Sequence, residues 1–455
     1  MTLSEQVRLV ISLSIPVILA QISSIIMRYI DTAMVGNMGA EATAAIGLIA
    51  SSTWLLNGMC SGISTGFSVQ VAQMIGAGRE YDARNVFRQA IISALIFGGC
   101  LTLVGVSISG VLPVWLGGAE EIRANSTRYF RIFACMLWVT QLRQLSSSML
   151  QCSGDIRTPS ILNMLMCGLD VVFNLFCIFP TREVAVLGLH FIMPGMGLGV
   201  AGAALGTAIA EGLVTVLLLW VVCIRSDKLD LRKRGSWKLQ KECLTTAAKV
   251  AIPMTFEHVV ECSAQVVSTK IVAPLGTISV AANSLAVTAE GLCYMPGYGL
   301  AAAATTLVGQ SIGAGQKKTA RRFARISVVL GMTVMSCTGI LMYFLCPYVF
   351  RMLTPDQAVQ SLGATVLRIE LFAEPMFAAS IVAAGALRGA GDTLIPCIMM
   401  IASMWGIRIT MALLLVPRIG LAGFWIAMCT ELCVRGILFL IRLLREKWLE
   451  KAALV

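Results

Sequence analysis

Seven side chains stand where hydrocarbon rather than water is expected. Asp31, Asp170, Asn174, Glu257, Glu261, Glu290 and Glu374 all fall inside long apolar stretches. Ionisable groups in such stretches are costly to bury, which makes each one a functional-site candidate by default. A carboxylate there can hold a proton, or can help coordinate sodium together with neighbouring oxygens. Asp170 and Asn174, spaced i, i+4, project from one helical face and can form a polar pocket with Asp31, with room for sodium at the three. The other use of such a pair is an interhelical hydrogen bond. Glu257 and Glu261 repeat the i, i+4 spacing. Two carboxylates this close in a low dielectric resist joint ionisation, so one is expected to carry a proton. His258 between them is a candidate relay, although a lone histidine is more often simply hydrogen-bonded. Glu290 and Glu374 are candidates for lining a substrate cleft. Other charges have local readings: Arg28 can neutralise Asp31, Glu431 can pair with Arg435, and Lys270 can snorkel to the interface.

The elements that must position these groups follow from composition. Of 455 residues 57% are hydrophobic and 13% charged, against roughly 45–50% and 25% in soluble domains. The bilayer is therefore the solvent. A spanning helix needs about 20 apolar residues, and the hydropathy pattern predicts twelve, over 8–35, 44–75, 86–112, 125–152, 158–179, 198–224, 245–272, 279–312, 323–346, 363–388, 394–416 and 420–444. The first is read as a span and not a removable signal, because its apolar run has no small-residue cleavage site. Most of the 15 cysteines lie singly in apolar stretches, and none forms a CxxC pair, so they read as small core residues rather than disulfides or a metal site.

The formal net charge of +11 is a matter of topology. Joints after even-numbered spans carry runs such as Arg79, Arg84 and Arg88, Arg225 to Lys241, and Lys317 to Arg325; joints after odd-numbered spans carry only Arg123, Arg182, Arg351 and Arg418. The positive-inside rule then places the even joints and both termini in the cytoplasm. Nucleic acid is not an expected partner; membrane lipids and a small-molecule substrate are.

The sequence also repeats itself. Ile75-Gly76-Ala77-Gly78 returns as Ile312-Gly313-Ala314-Gly315, a shift of 237. At that shift Pro16 falls on Pro253, Gly39 on Gly276, Gln73 on Gln310, Arg84 on Arg321, Arg88 on Arg325 and Gly154-Asp155 on Gly391-Asp392. Later the shift drops to 221, pairing Gly199 with Gly420, so the first half holds 16 extra residues around Pro180 to Gly197. The chain divides accordingly into 1–224, a basic linker 225–244, and 245–455. Six spans per half make the repeats parallel, an arrangement suited to rocking one bundle against another. The duplicated glycines are expected to stop helices with positive φ, and Asp155 and Asp392 to cap the helices that follow. None of the seven candidates has an ionisable counterpart in the other half: Asp31 maps to Ser268, Asp170 to Ile407, Asn174 to Met411, Glu257 to Ala20 and Glu261 to Ser24.

Asp31-Thr32-Ala33-Met34-Val35-Gly36, the two Ile-Gly-Ala-Gly copies and Ala386-Leu387-Arg388-Gly389-Ala390-Gly391-Asp392-Thr393 together resemble multidrug and toxic compound extrusion (MATE) transporters over essentially the whole chain. The resemblance implies an all-α integral membrane protein of two six-helix bundles forming a V-shaped cleft. It implies export of organic, often cationic, compounds in exchange for protons or sodium, with no cofactor. It places Asp31 at the aspartate used for cation coupling, with Arg28 where a neutral residue is usual. It places Asp170 and Asn174 at a pair carried here in reversed order, and Glu261 at a coupling glutamate of some members. The expected setting is the bacterial inner membrane, and the expected state a monomer.

Two other classes remain to be weighed. A flippase for lipid-linked precursors would suit the same fold if the cavity were more basic. A membrane enzyme lacks a metal cluster or nucleophile triad to work with, and without a GxxxxGK[ST] loop the chain does not hydrolyse ATP in the Walker manner.

Overall fold

The computed structural model describes residues 2–186 and 189–450. Long apolar runs become helices because hydrocarbon offers no partner for a backbone N–H or C=O, and a helix satisfies both internally. In chain order the helices are α1 (Leu3–Gly36), α2 (Ala40–Gly76), α3 (Glu80–Ile108), α4 (Leu112–Trp115), α5 (Glu120–Cys135), α6 (Leu137–Ser153), α7 (Arg157–Ile178), α8 (Val200–Trp220), α9 (Lys241–Val272), α10 (Thr277–Gly313), α11 (Lys317–Leu353), α12 (Gln357–Glu370), α13 (Glu374–Gly389), α14 (Leu394–Ser403), α15 (Thr410–Ile419), α16 (Leu421–Leu444) and α17 (Lys447–Glu450). Among the described residues eight helical stretches are long and apolar enough to cross a membrane: α1, α2, α3, α7, α11, α16, Val200–Arg225 and Leu394–Ile419. The other four expected spans are helical but diluted or broken. The stretch 125–152 is interrupted at Met136 and 363–388 by a 3-10 turn at Leu371–Ala373. Helix α9 carries Lys249, Glu257, His258 and Glu261, and α10 is rich in Gly, Ala and Thr.

The 16 extra residues of the first half form an antiparallel hairpin, β1 (Pro180–Val186) with β2 (Leu189–Met196). It is the one sheet among the described residues of an otherwise helical fold. Its turn falls outside the described residues.

Two compact units divide the chain. One holds residues 23–71 and 80–247; the other holds 2–22, 72–79 and 248–450. The opening of α1 and the end of α2 therefore group with the second half. We refer to them as the N-terminal and C-terminal units.

In the N-terminal unit α3 packs on α6, and α8 on α5, α6 and α7. The basic linker is fastened to the start of α3. Arg88, 1% exposed, donates to the carbonyls of Leu231 (3.1 Å) and Lys233 (2.5 Å). Asn85 accepts from the Ser236 amide, and Gln89 from the Gln240 amide. Within the linker, hydrogen bonds from Arg232 hold the Asp230 carboxyl below the usual carboxylate range.

In the C-terminal unit α10 is the central helix, packed by α11 and α13, with α13 also against α16. Small residues permit the approach: Gly385 lies on Ala301, Gly389 on Thr305 and Gly436 on Met376. The end of α2 meets the end of α10 reciprocally, Gly76 against the Gln310 carbonyl and Gly313 against the Gln73 carbonyl. These are partners under the 237 shift.

Other register pairs share backbone conformation. Positive φ is found at Gly39 and Gly276, Gly78 and Gly315, Gly154 and Gly391, and Gly199 and Gly420. After Gly78 the Arg79 amide donates to Met74 O at 2.9 Å, and after Gly315 the Gln316 amide donates to Ser311 O at 2.9 Å. This six-to-one bond with a left-handed glycine is the Schellman helix stop. The aspartates that follow Gly154 and Gly391 diverge. Asp155 accepts from the Thr158 amide at 3.1 Å as a cap, whereas Asp392 takes an ion pair from Arg442 at 2.7 Å instead. The expectation of two capping aspartates holds only for the first, because Arg442 on α16 offers a charged donor that the first half lacks at that place.

The reciprocal α2–α10 crossing yields a prediction. Gly76→Val and Gly313→Val each place a side chain on a backbone carbonyl, and each should lower stability by about 1–3 kcal/mol, the range for overpacking. Thermal unfolding in detergent should show similar losses for both; an unaffected midpoint in either would contradict the crossing.

Candidate cation-coupling site

In the N-terminal unit a Gly-x-x-x-Gly spacing sets the site. Gly202 lies against the Cys177 carbonyl and Gly206 against Asn174, so α8 can approach α7 backbone to backbone. Asn174 is thereby fixed, 1% exposed. Its amide nitrogen donates to Asp31 Oδ1 at 3.0 Å and to Asp170 Oδ2 at 3.2 Å. Asp170 is also 1% exposed. Asp170 Oδ1 and Asn174 Oδ1 are buried without a hydrogen-bond partner. A cavity of about 220 Å³ opens at this point, lined by Asp31, Asn174, Thr32, Thr43, Thr207 and Tyr129 among others. Two carboxylates thus share one neutral donor, and among the described residues neither forms an ion pair. Arg28 does not neutralise Asp31: it is exposed, and its carbonyl accepts from the Thr32 hydroxyl.

The same unit holds a self-contained ion pair. Arg143 on α6 donates to Glu211 on α8 at 2.6 Å, and the Thr140 hydroxyl donates to the same carboxylate at 3.1 Å. Both side chains are less than one-fifth exposed.

The C-terminal unit separates the two glutamates of α9. Glu257 faces Arg388 at 3.5 Å, and Glu261 faces His258 Nδ1 at 3.7 Å. Each thus has a neighbour of its own besides the other carboxylate. Glu290 and Glu374 are 7% and 0% exposed, buried in this conformation. Both oxygens of Glu374, and both of Glu370, lack a hydrogen-bond partner. Glu431 sits between Arg408 (2.6 Å) and Arg435 (3.1 Å) and accepts from the Ser403 hydroxyl. The pairing with Arg435 was legible from the i, i+4 spacing; Arg408, presented by the π-helical turn Met404–Ile409, was not. Lys270 is exposed near the end of α9.

The MatE family profile matches twice, over residues 16–176 and 253–414, with starting points 237 residues apart. The chain belongs to the MatE family. Relatives of this MatE chain include a probable multidrug resistance protein NorM of Thermotoga maritima, 26% identical over 98% of this chain and 93% of its own length. Another is the multidrug resistance protein MdtK of Yersinia pseudotuberculosis, 25% identical over 98% and 96%. Among solved structures, a MOP superfamily transporter from Pyrococcus furiosus superposes with TM-score 0.88 at 18% identity, covering 98% and 97%. The Vibrio cholerae MATE transporter VcmN gives TM-score 0.87 at 17% identity, covering 98% and 99%. These establish the fold as that of an α-helical membrane transporter.

Several buried or cavity-lining residues of the two units escaped the sequence. Glu211, Arg143, Glu370 and Arg408 lie in apolar stretches and carried the same ionisable signal as Asp170. Thr207 and Tyr129 are not charged in a way that singles them out, and only the cavity reveals them.

Three substitutions test this account. Glu211→Leu leaves Arg143 buried and unpaired and should cost about 3–5 kcal/mol, whereas Arg143→Met with Glu211→Leu together should recover most of it. Thermal unfolding in detergent distinguishes the two, and equal losses would contradict a mutual pair. Gly206→Val should drive Asn174 from Asp31 and reduce transport while leaving folded protein in the membrane; unchanged transport would show that the α7–α8 approach does not position the site.

Proposed function

We propose that this MatE transporter is a secondary antiporter that exports small cationic or amphipathic organic compounds across the bacterial inner membrane. The driving ion is one monovalent cation, a proton or sodium, bound at Asp31, Asp170 and Asn174. The observation that carries the reading is the pair of carboxylates bridged by one amide with no basic partner among the described residues. Two negative charges this close in a low dielectric, one of them on a buried residue, are not tolerated uncompensated. Hence the pair must take up positive charge, from the coupling ion in one state and from a cationic substrate in another. The multidrug resistance names of NorM and MdtK relatives support the substrate class.

Asn174 supplies a way to exchange the two. Its side-chain nitrogen binds both carboxylates when they face each other without a cation. Rotating the amide by half a turn presents Oδ1 instead, an acceptor suited to sodium or to a protonated carboxyl. Thr207 and Tyr129 in the same cavity add oxygens. Cation binding therefore changes which groups hold Asp31 on α1 to Asp170 on α7. That local change is proposed to bias alternating access between two parallel halves of six spans each, with both termini cytoplasmic and the protein a monomer. The paired left-handed glycines and the two profile matches at one register support the duplicated layout. Glu257, Glu261, Glu290 and Glu374 are assigned to the second half of the cycle, the last two meeting substrate in a conformation that exposes them. The flippase reading is not favoured, because no lysine or arginine lines the described cavity.

Proteoliposomes loaded with a cationic dye test the proposal. An imposed pH or sodium gradient should drive dye movement, and the gradient that does so names the ion. Asp31→Asn and Asp170→Asn should each reduce gradient-driven movement to the level of empty liposomes while expression persists. Normal movement in Asp31→Asn would shift coupling to Glu257 and Glu261.

A further inference from the structure

Arg88 and Arg325 occupy the same place in the repeat but hold different things. Arg88 is buried beneath the linker, which offers it two carbonyl oxygens and carries Leu229 at 0% exposure. In the C-terminal unit α17 follows α16 among the described residues. There Arg325, 49% exposed, and Arg321 share the single carboxylate of Glu446 at 2.9 and 2.7 Å. Glu446 has φ +57°, turning the chain so that α17 folds back with Trp448 1% exposed.

Beside Arg325 lies an open groove of about 300 Å³. Val328, Val329 and Met332 of α11 form one wall, and Leu440, Leu443 and Leu444 of α16 the other. Arg325 is its one charged lining residue. Two guanidinium groups against one carboxylate leave positive charge at the mouth, and Arg322, Arg445 and Lys447 nearby in sequence are exposed.

We propose that this groove binds one anionic phospholipid, with an acyl chain between α11 and α16 and the phosphate at Arg325. Apolar walls in a bilayer accept an acyl chain, and a guanidinium binds phosphate oxygens in a charge-assisted manner. Charge selects the headgroup: a zwitterionic lipid leaves the excess at the mouth uncompensated. The first half shows the same chemistry met internally, with oxygens of the linker at the arginine and a buried leucine close behind in sequence. The inference rests on the proposed cytoplasmic placement of this end of α11, where anionic lipids meet basic residues. It does not depend on the coupling ion or the substrate.

Native mass spectrometry of the purified full chain, titrated with phosphatidylglycerol or phosphatidylcholine, reads the site directly. Wild-type protein should bind phosphatidylglycerol about five-fold more tightly, the effect of one arginine near a phosphate. Arg325→Gln should abolish that preference. Glu446→Gln, which removes the competing carboxylate, should increase it. Val329→Trp, on the exposed wall of the groove, should weaken both lipids and keeps the test available if Arg325→Gln does not fold. Equal affinity for the two lipids in wild type overturns the proposal. So does binding unchanged by Val329→Trp, or full competition by glycerol phosphate, which has a headgroup but no chain. A gain for both lipids after truncation at Glu450 would assign the groove to the chain's own end instead. Loss of lipid preference with dye transport intact, or the reverse, separates this inference from the antiport reading.

Discussion

One neutral amide between two carboxylates governs the N-terminal unit. Asn174 donates to Asp31 and Asp170 at 3.0 and 3.2 Å, and the described surroundings supply no cation. A hydrogen bond to a charged group contributes about 1.5–3 kcal/mol, far less than the cost of holding two charges in a low dielectric. The amide alone therefore does not compensate two ionised carboxylates. Its geometry in turn depends on Gly202 and Gly206, which let α8 lie against the backbone of α7. The amide bridge is in this sense a consequence of helix packing.

Charge elsewhere in the apolar interior is handled differently. Arg143 with Glu211, and Arg408 and Arg435 with Glu431, pair locally and at short range. Such pairs are costly to break but need no external ion. The contrast between closed pairs and the open Asp31–Asn174–Asp170 group separates architecture from function better than burial does. Glu370 and Glu374, buried with unpartnered oxygens, resemble the open group in lacking a hydrogen-bonded partner.

The architecture was largely legible because its constraints are local and duplicated. A helix that must stop needs a residue tolerant of positive φ, so Gly78 and Gly315 announced themselves at one register, and Gly154 and Gly391 did likewise. The divergence of Asp155 and Asp392 was not legible, since it depends on Arg442, fifty residues away in sequence and brought in by α16. The hairpin at Pro180–Met196 was legible as an insertion outside the helices but not as strands. At the site, the types of Asp31, Asp170 and Asn174 were sufficient to nominate them together. The amide bridge was not, because which atom of Asn174 faces which carboxylate is set by Gly206 on another helix. For Glu257 the sequence showed only Glu261 one turn along, and Arg388 from α13 lies beside it as well; spacing along one helix says nothing of what the next helix brings.

The central claim is that the open carboxylate pair exchanges one positive charge for the substrate. Its most direct test is to count the cations released when a cationic dye binds the purified protein, protons by a pH indicator in weak buffer and sodium by an ion-selective electrode. The account predicts close to one monovalent cation released per dye bound in wild-type protein, and none in the double variant Asp31→Asn with Asp170→Asn. Release that persists undiminished in the double variant would contradict it.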